Sequence, residues 1–185
     1  MIARYMLFTQ VYFHKTRVIY DHHLKQALYE LLKGQGGKFP VPDSPDGVQN
    51  FLNWDDWQVY GALSRNLAGE HGKMLTRRDH YRLLRETQEV PSLEELEMMD
   101  ELEQRLSVGH IDYVRSSAGK SWYKTDSDKE IYIQRSGVAL QNRTEPLSAL
   151  SHAIKGLATV RQNRIYVAPE NRQKAENLAR ALSSE

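Results

Sequence analysis

Three residues near the start of the chain have a spacing that could place an arginine and a tyrosine beside one ligand. Arg4, Phe8 and Tyr12 recur every four residues, so a helix places them on one face. On that face Arg4 can pair with a phosphate, and Tyr12 can pack against a sugar or form a hydrogen bond with it. The alternative is a surface arginine and a tyrosine of the core.

Histidines are the other residues that could carry chemistry, and the chain has seven of them and no cysteine. His22 and His23 are adjacent, and successive helical residues point about 100° apart, so we expect no joint chelation of an ion. The remaining histidines fall in different predicted elements, without a partner at metal-ligand spacing. The sequence therefore predicts no metal ligand and no catalytic residue among these 185 residues.

Two further patterns have structural explanations. The glycines of 34–37 lack the spacing of a phosphate-binding loop, and they indicate the end of a helix. The arginines at 77, 78, 82 and 85 lie on one face of a predicted helix. That face suits a phosphate or an acidic partner, whereas nearby carboxylates favour an internal salt-bridge surface.

Hydrophobic spacing and helix-breaking residues divide the chain into predicted elements. No Pro or Gly occurs at 2–32, which predicts one helix of about eight turns. Thr76 and Asp79 resemble a capping box at the start of a short helix. Including that one, further helices are predicted at 48–67, 76–86, 91–106, 146–157 and 169–182, and strands at 111–113, 122–123, 131–133 and 164–167.

The predicted fold class is α+β, with a mainly helical segment at 1–108 and a small α+β module at 109–185. The 25 basic and 24 acidic residues nearly balance, so no overall field favours nucleic acid. Since no apolar run reaches the roughly 18 residues of a membrane span, we expect a cytoplasmic protein with no membrane partner.

Residues 3–16 read ARYMLFTQVYFHKT. This string resembles the long helix that follows the metal site in bacterial HD-domain phosphohydrolases related to the sterile-alpha-motif HD dNTP triphosphohydrolase. A looser resemblance continues through 54–56, 77–82 and 120–124, and so covers most of the chain. The first helix carries the specific part of the match.

The resemblance implies roles for four residues. Arg4 and Tyr12 match family positions that reach into the nucleotide site, and His14 with Lys15 matches a pair near a regulatory nucleotide site. The alternative for His14 and Lys15 is an exposed polar pair. Phe8 stands where a mammalian member has a histidine, so the resemblance implies no proton donor on this helix.

The family takes its name from metal-binding His and Asp residues that include an adjacent His-Asp pair, and these 185 residues contain no such pair. We therefore expect this chain to be the C-terminal part of a metal-dependent phosphohydrolase acting on a dNTP or related nucleotide. The divalent metal would belong to an HD core that precedes residue 1, and the chain alone would be inactive. The alternative is a non-catalytic assembly or protein-binding regulatory module.

The first half of the predicted first helix is apolar on nearly every face. A helix of this kind needs neighbours all round. We expect the HD core to cover it, and without that core we expect a second copy of the chain to do so. The sequence therefore predicts a homo-oligomer.

Overall fold

The predicted α+β fold class is confirmed, and most of the helices come before most of the strands, as predicted. A computed structural model describes residues 2–120, 131–135, 143–155 and 160–182. The strand predicted at 122–123, and most of the loose resemblance at 120–124, lie outside these ranges. No helix in the described ranges is both long enough and apolar enough to cross a membrane.

The helices and strands have the following bounds. The helices are α1 Ile2–Leu7, α2 Lys15–Leu31, α3 Pro45–Leu52, α4 Asp56–Ser64, α5 Gly69–Arg77, α6 Leu93–Val108, α7 Leu147–Leu150, α8 His152–Lys155 and α9 Arg172–Leu182. A π-helical turn spans Phe8–Tyr12, and 3-10 turns span Lys33–Gln35 and Pro169–Asn171. The strands are β1 Arg82–Glu86, β2 Tyr113–Lys120, β3 Tyr132–Arg135, β4 Arg143–Pro146 and β5 Val160–Val167.

The predicted single helix at 2–32 is wrong, because the helix breaks between Phe13 and His14. The Phe13 amide bonds to the carbonyl of Phe8, five residues back, at 2.8 Å. His14 then takes an extended ψ of 131°, and its Nδ1 accepts a hydrogen bond from the Thr16 amide at 3.3 Å. His14 therefore caps α2, and the guanidinium of Arg164 donates to the Phe13 carbonyl at the break.

Two other predicted helices also differ from the structure. The helix predicted at 48–67 is divided into α3 and α4, because Asp55 caps α4 by accepting from the Gln58 amide at 2.8 Å. The helix predicted at 76–86 is wrong: α5 ends at Arg77, Arg78 adopts a left-handed φ of 58°, and residues 82–86 form β1. The predicted helical arginine face is therefore also wrong, since Arg82 and Arg85 lie on a strand.

The capping box predicted at Thr76 and Asp79 is wrong, because Thr76 lies inside α5 and its hydroxyl donates to the carbonyls of Gly72 and Lys73. The predicted start of a helix near residue 91 and the predicted end of a helix at the glycines are confirmed. Ser92 and Glu95 form a reciprocal capping box at the start of α6. The glycines after α2 end that helix as expected, since Gly36 and Gly37 adopt φ values of 72° and 73°.

The main sheet is antiparallel with the order β1-β5-β2. β5 is its central strand, and Val167 is the register partner of both Arg82 and Tyr113. β3 and β4 form a separate antiparallel pair. Helices α6 and α9 supply the core beside β5, which contains Met99, Leu102, Leu106, Ile111, Ile165, Val167, Ala175 and Leu182.

A second, smaller core joins α2 to α4 and α5. Its buried members are Ala27, Leu63 and Ala68. Gly72 leaves room for this core, because a Cβ added there would lie 2.6 Å from the Cβ of Ala68 at the cap of α5 and 3.3 Å from a Leu63 methyl of α4. The same added Cβ would lie 4.0 Å from the Ala27 Cβ of α2, so α5 contacts α2 one residue after His71.

Candidate functional site

Arg4 and Tyr12 lie in a helical segment whose register changes. Arg4 belongs to α1, and Tyr12 is the last residue of the π-helical turn. The ring centroids of Phe8 and Tyr12 are 5.7 Å apart, so these two residues do share the face that their spacing predicts. Single π-helical turns are frequent at functional sites, because they change the direction of side chains along a helix.

Large apolar side chains of this segment remain open to solvent. Four of them are each 47–50% exposed: Met6, Leu7, Val11 and Tyr12. A lone exposed apolar residue is ordinary, whereas four within seven positions form a patch of the kind that marks an interaction surface. Among the described residues, none covers this patch completely.

His14 and Lys15 lie beside the main sheet. His14 is exposed, and its imidazole caps α2. The Lys15 carbonyl accepts a hydrogen bond from the buried Tyr166 hydroxyl at 3.0 Å. Burial raises the pKa of Tyr166 to about 12, although the Arg164 charge acts in the opposite direction. Tyr166 therefore remains a neutral donor that holds the start of α2 against β5.

A small cavity of about 180 Å³ opens beside Lys15. His80, Arg82 and Arg172 also line it, so three cationic side chains surround the space. Arg82 donates to Nε2 of His80 at 3.1 Å, while the buried Nδ1 of His80 meets no hydrogen-bond partner among the described residues. Burial, assisted by the Arg82 charge, lowers the pKa of His80. A small anion would complement this lining.

Three histidines meet where α2 contacts α5. His22 and His23 come from α2, and His71 comes from the first turn of α5. His23 has no exposed surface, and its Nδ1 lies 2.7 Å from Nδ1 of His71. One nitrogen from each of the three rings lies within 4.8 Å of the other two.

Hydrogen bonding determines the tautomers of the buried pair. The Tyr81 amide donates to Nε2 of His23 at 3.1 Å, so this nitrogen must present a lone pair. In the neutral ring the proton then lies on Nδ1 of His23, which donates to Nδ1 of His71. His71 consequently carries its own proton on Nε2.

Burial keeps these imidazoles neutral. Desolvation, followed by repulsion from His71, lowers the pKa of His23 to about 4. Desolvation also lowers the pKa of His22, with a further contribution from His71, and lowers the pKa of His71. All three rings are therefore uncharged at neutral pH.

This cluster corrects the expectation that the histidines are dispersed. His71 lies 48 residues from His23 in sequence, and yet the two rings are hydrogen-bonded. Spacing along one helix could not reveal the contact, because its members come from two helices. The small residues on both sides of His71, at Ala68 and Gly72, are the available signal for a close helix crossing.

Comparison with known proteins shows that this chain has the fold of one part of a protein of known structure. No family model matches the chain, and no curated protein matches it. The structure is similar to the crystal structure of a hypothetical protein from Aquifex aeolicus, with a TM-score of 0.73 and 26% sequence identity over 96% of this chain. The match covers 42% of the Aquifex chain, so the present chain spans less than half of that protein's length.

Proposed function

We propose that this chain is the C-terminal part of an HD-superfamily phosphohydrolase that acts on a dNTP or a related nucleotide. The observation that carries the proposal is the segment at residues 3–16, whose sequence resembles the helix after the HD metal site. The contact between Phe8 and Tyr12 supports the proposal. Tyr12 shares a helix face with Phe8, as predicted, and half of its surface remains exposed and open to a ligand.

The proposed roles follow from side-chain chemistry. The Arg4 guanidinium binds a substrate phosphate, and Tyr12 orients the nucleotide by packing or through its hydroxyl. The 185 residues lack the adjacent His-Asp pair, so we assign the divalent metal to an HD core outside them and expect this chain alone to be inactive. The exposed apolar patch at residues 6–12 would then pack against that core.

The cationic cavity beside Lys15 supports a regulatory role for the same part of the chain. Lys15, Arg82 and Arg172 could bind the phosphates of a regulatory nucleotide. His14 caps α2 and directly precedes Lys15, and the His14 side chain is exposed. We place the protein in the cytoplasm, where such nucleotides occur.

The test is hydrolysis by the complete reading frame that encodes this chain. Purified protein is incubated with each dNTP and Mn²⁺, and released phosphate or triphosphate is measured. We expect turnover that Arg4→Ala lowers by about 10- to 150-fold in kcat/KM, the equivalent of losing a charge-assisted hydrogen bond. Arg65→Ala, at the end of α4, is the matched control and should retain full activity. If Arg4→Ala leaves kcat/KM unchanged, Arg4 does not bind the substrate phosphate.

A second candidate is an assembly or protein-binding module, and the surface of α4 favours it. Trp57 is 82% exposed, and Tyr60 lies one turn later with 66% of its surface exposed. Large exposed aromatic residues are enriched among the anchors of protein interfaces. If the complete protein hydrolyses no nucleotide, this candidate replaces the first.

A further inference from the structure

We propose that His22, His23 and His71 form a binding site for one first-row transition-metal dication of the Zn²⁺ class, with a fourth coordination position open to water. The three rings are already arranged around a common point. Their centroids are 5.0 Å apart for His23 and His71, 5.6 Å for His22 and His23, and 5.8 Å for His22 and His71.

These separations fit imidazoles on a tetrahedral ion. With zinc–nitrogen bonds of about 2.05 Å, each ring centre lies roughly 3.2 Å from the ion, so two ligating rings are roughly 5 Å apart. His22 and His23 are adjacent and point in different directions along α2. His71 lies on α5 within reach of both. Two adjacent histidines of one helix cannot chelate an ion by themselves, and His71 supplies a third ligand from a second helix.

The donor set selects the class of ion. Three neutral imidazole nitrogens suit Zn²⁺, Co²⁺, Ni²⁺ or Cu²⁺, whereas Mg²⁺ and Ca²⁺ need oxygen ligands. Among the described residues, no carboxylate joins the group. Lys25 lies close enough for its charge to lower the pKa of His22, so this lysine opposes a dication as well.

Binding requires one exchange of hydrogen bonds. The two Nδ1 atoms are 2.7 Å apart, which is a hydrogen-bond distance, and two ligands of tetrahedral zinc need about 3.3 Å. The ion would replace the proton between them. Because His23 stays neutral, its proton moves from Nδ1 to Nε2, and the Tyr81 amide loses its acceptor. The bound ion and the bond from Tyr81 to His23 therefore exclude each other.

The experiment uses the whole chain, stripped with a chelator and titrated with ZnCl₂ by calorimetry. We expect one Zn²⁺ per chain, and visible absorption typical of tetrahedral coordination when Co²⁺ replaces zinc. His71→Gln and His22→Gln should each weaken Zn²⁺ binding by more than about 100-fold, since loss of an outer-shell partner alone costs about 10- to 100-fold. Lys25→Gln should strengthen binding a few-fold by removing the nearby charge.

The matched control is His152→Gln, because His152 is an exposed histidine on α8, and it should bind Zn²⁺ as the wild type does. Circular dichroism confirms that each variant is folded. In ¹⁵N spectra the Tyr81 amide resonance should shift when Zn²⁺ binds. The proposal is overturned if the wild type binds no tighter than the His71→Gln variant, if His152→Gln loses binding equally, or if the Tyr81 resonance stays unchanged at saturation.

Discussion

Arg164 connects three parts of the chain through one side chain that is 8% exposed. Its Nε donates to Glu86 of β1 at 3.0 Å, and its Nη2 donates to the Gln162 side chain at 2.6 Å. Its Nη1 donates to the Phe13 carbonyl, where the first helix breaks. The guanidinium donates from three separate nitrogen atoms, whereas an amide or an ammonium group has only one nitrogen from which to donate.

We expect Arg164→Gln to lower the free energy of unfolding by about 2–4 kcal/mol, because the acceptors on Glu86, Gln162 and Phe13 lose their bonds from a charged donor. Urea denaturation measures the change. Arg161→Gln, on the same strand but exposed, should stay within about 0.5 kcal/mol of wild type. Equal stability of the two variants would mean that the Arg164 network contributes little.

Tyr166 makes stability depend on alkaline pH. Its pKa is raised to about 12 in the folded chain, whereas an unfolded tyrosine titrates near pH 10. A raised pKa means that the stabilisation is fully present below about pH 10 and is lost as pH rises towards 12. The loss amounts to roughly 1.4 kcal/mol for each unit of pKa difference.

We therefore expect the unfolding free energy of the wild type to fall between pH 10 and pH 11 more steeply than that of Tyr166→Phe. Denaturation at several pH values measures it, and phenolate absorbance should show the same number of titrated tyrosines in both proteins at pH 11. Parallel pH profiles for the two proteins would contradict the assignment.

At the scale of elements, the packing of α5 against α4 and against its own cap depends on the missing side chain at Gly72. A Cβ at this position would lie 2.6 Å from the Ala68 Cβ, while a Cβ at Gly34 would meet nothing within 4 Å. We expect Gly72→Ala to destabilise the chain by about 1–3 kcal/mol through overpacking. Gly34→Ala is the control and should be neutral within about 0.5 kcal/mol. Thermal unfolding compares them, and a stable Gly72→Ala variant would show that Ala68 and Leu63 can shift without cost.

Local sequence signals predict some elements correctly. They fail where the conformation of a segment depends on pairing with residues far away in the sequence. The helix predicted at 91–106 lies within two residues of α6 at each end, and the end of α2 follows from its glycines, because start and stop signals act within one turn. The sequence pattern predicts a helix where β1 lies, since the strand conformation depends on Glu86 pairing with Arg164, far away in sequence. The shared face of Phe8 and Tyr12 is predictable because it depends on local spacing alone.

The histidine cluster could not be predicted from sequence. Its geometry requires α5 to cross α2, and the bond from Tyr81 to His23 requires the chain to return after α5. Such crossings depend on packing between helices and leave only weak composition signals, such as Gly72. The cavity beside Lys15 could not be predicted from the sequence either. The sequence predicts Arg82 on a helix, and Arg172 lies near the other end of the chain.

At the scale of the whole molecule, the exposed patch at residues 6–12 predicts self-association of the chain. Burying each large apolar side chain stabilises an assembly by roughly 1.5–3 kcal/mol of free energy. A second copy of the chain can therefore cover the apolar patch that the described residues leave exposed. Light scattering should report more than 21.4 kDa, and Val11→Glu should reduce the mass to that of one chain. Val90→Glu, at a similarly exposed valine on a loop, should leave the assembly intact. A monomer at high micromolar concentration would contradict the prediction.

The central position of β5 also affects how the chain forms during synthesis. β1 and β2 are both made before β5, and each pairs with it alone in the main sheet. The roughly 75 residues between β1 and β5 take on the order of 4–15 s to translate, so β1 leaves the ribosome with its edges unpaired for that time. Unpaired strand edges invite wrong partners. A nascent chain of this protein is therefore exposed to aggregation until β5 has been translated, and chaperone binding would matter most in that interval.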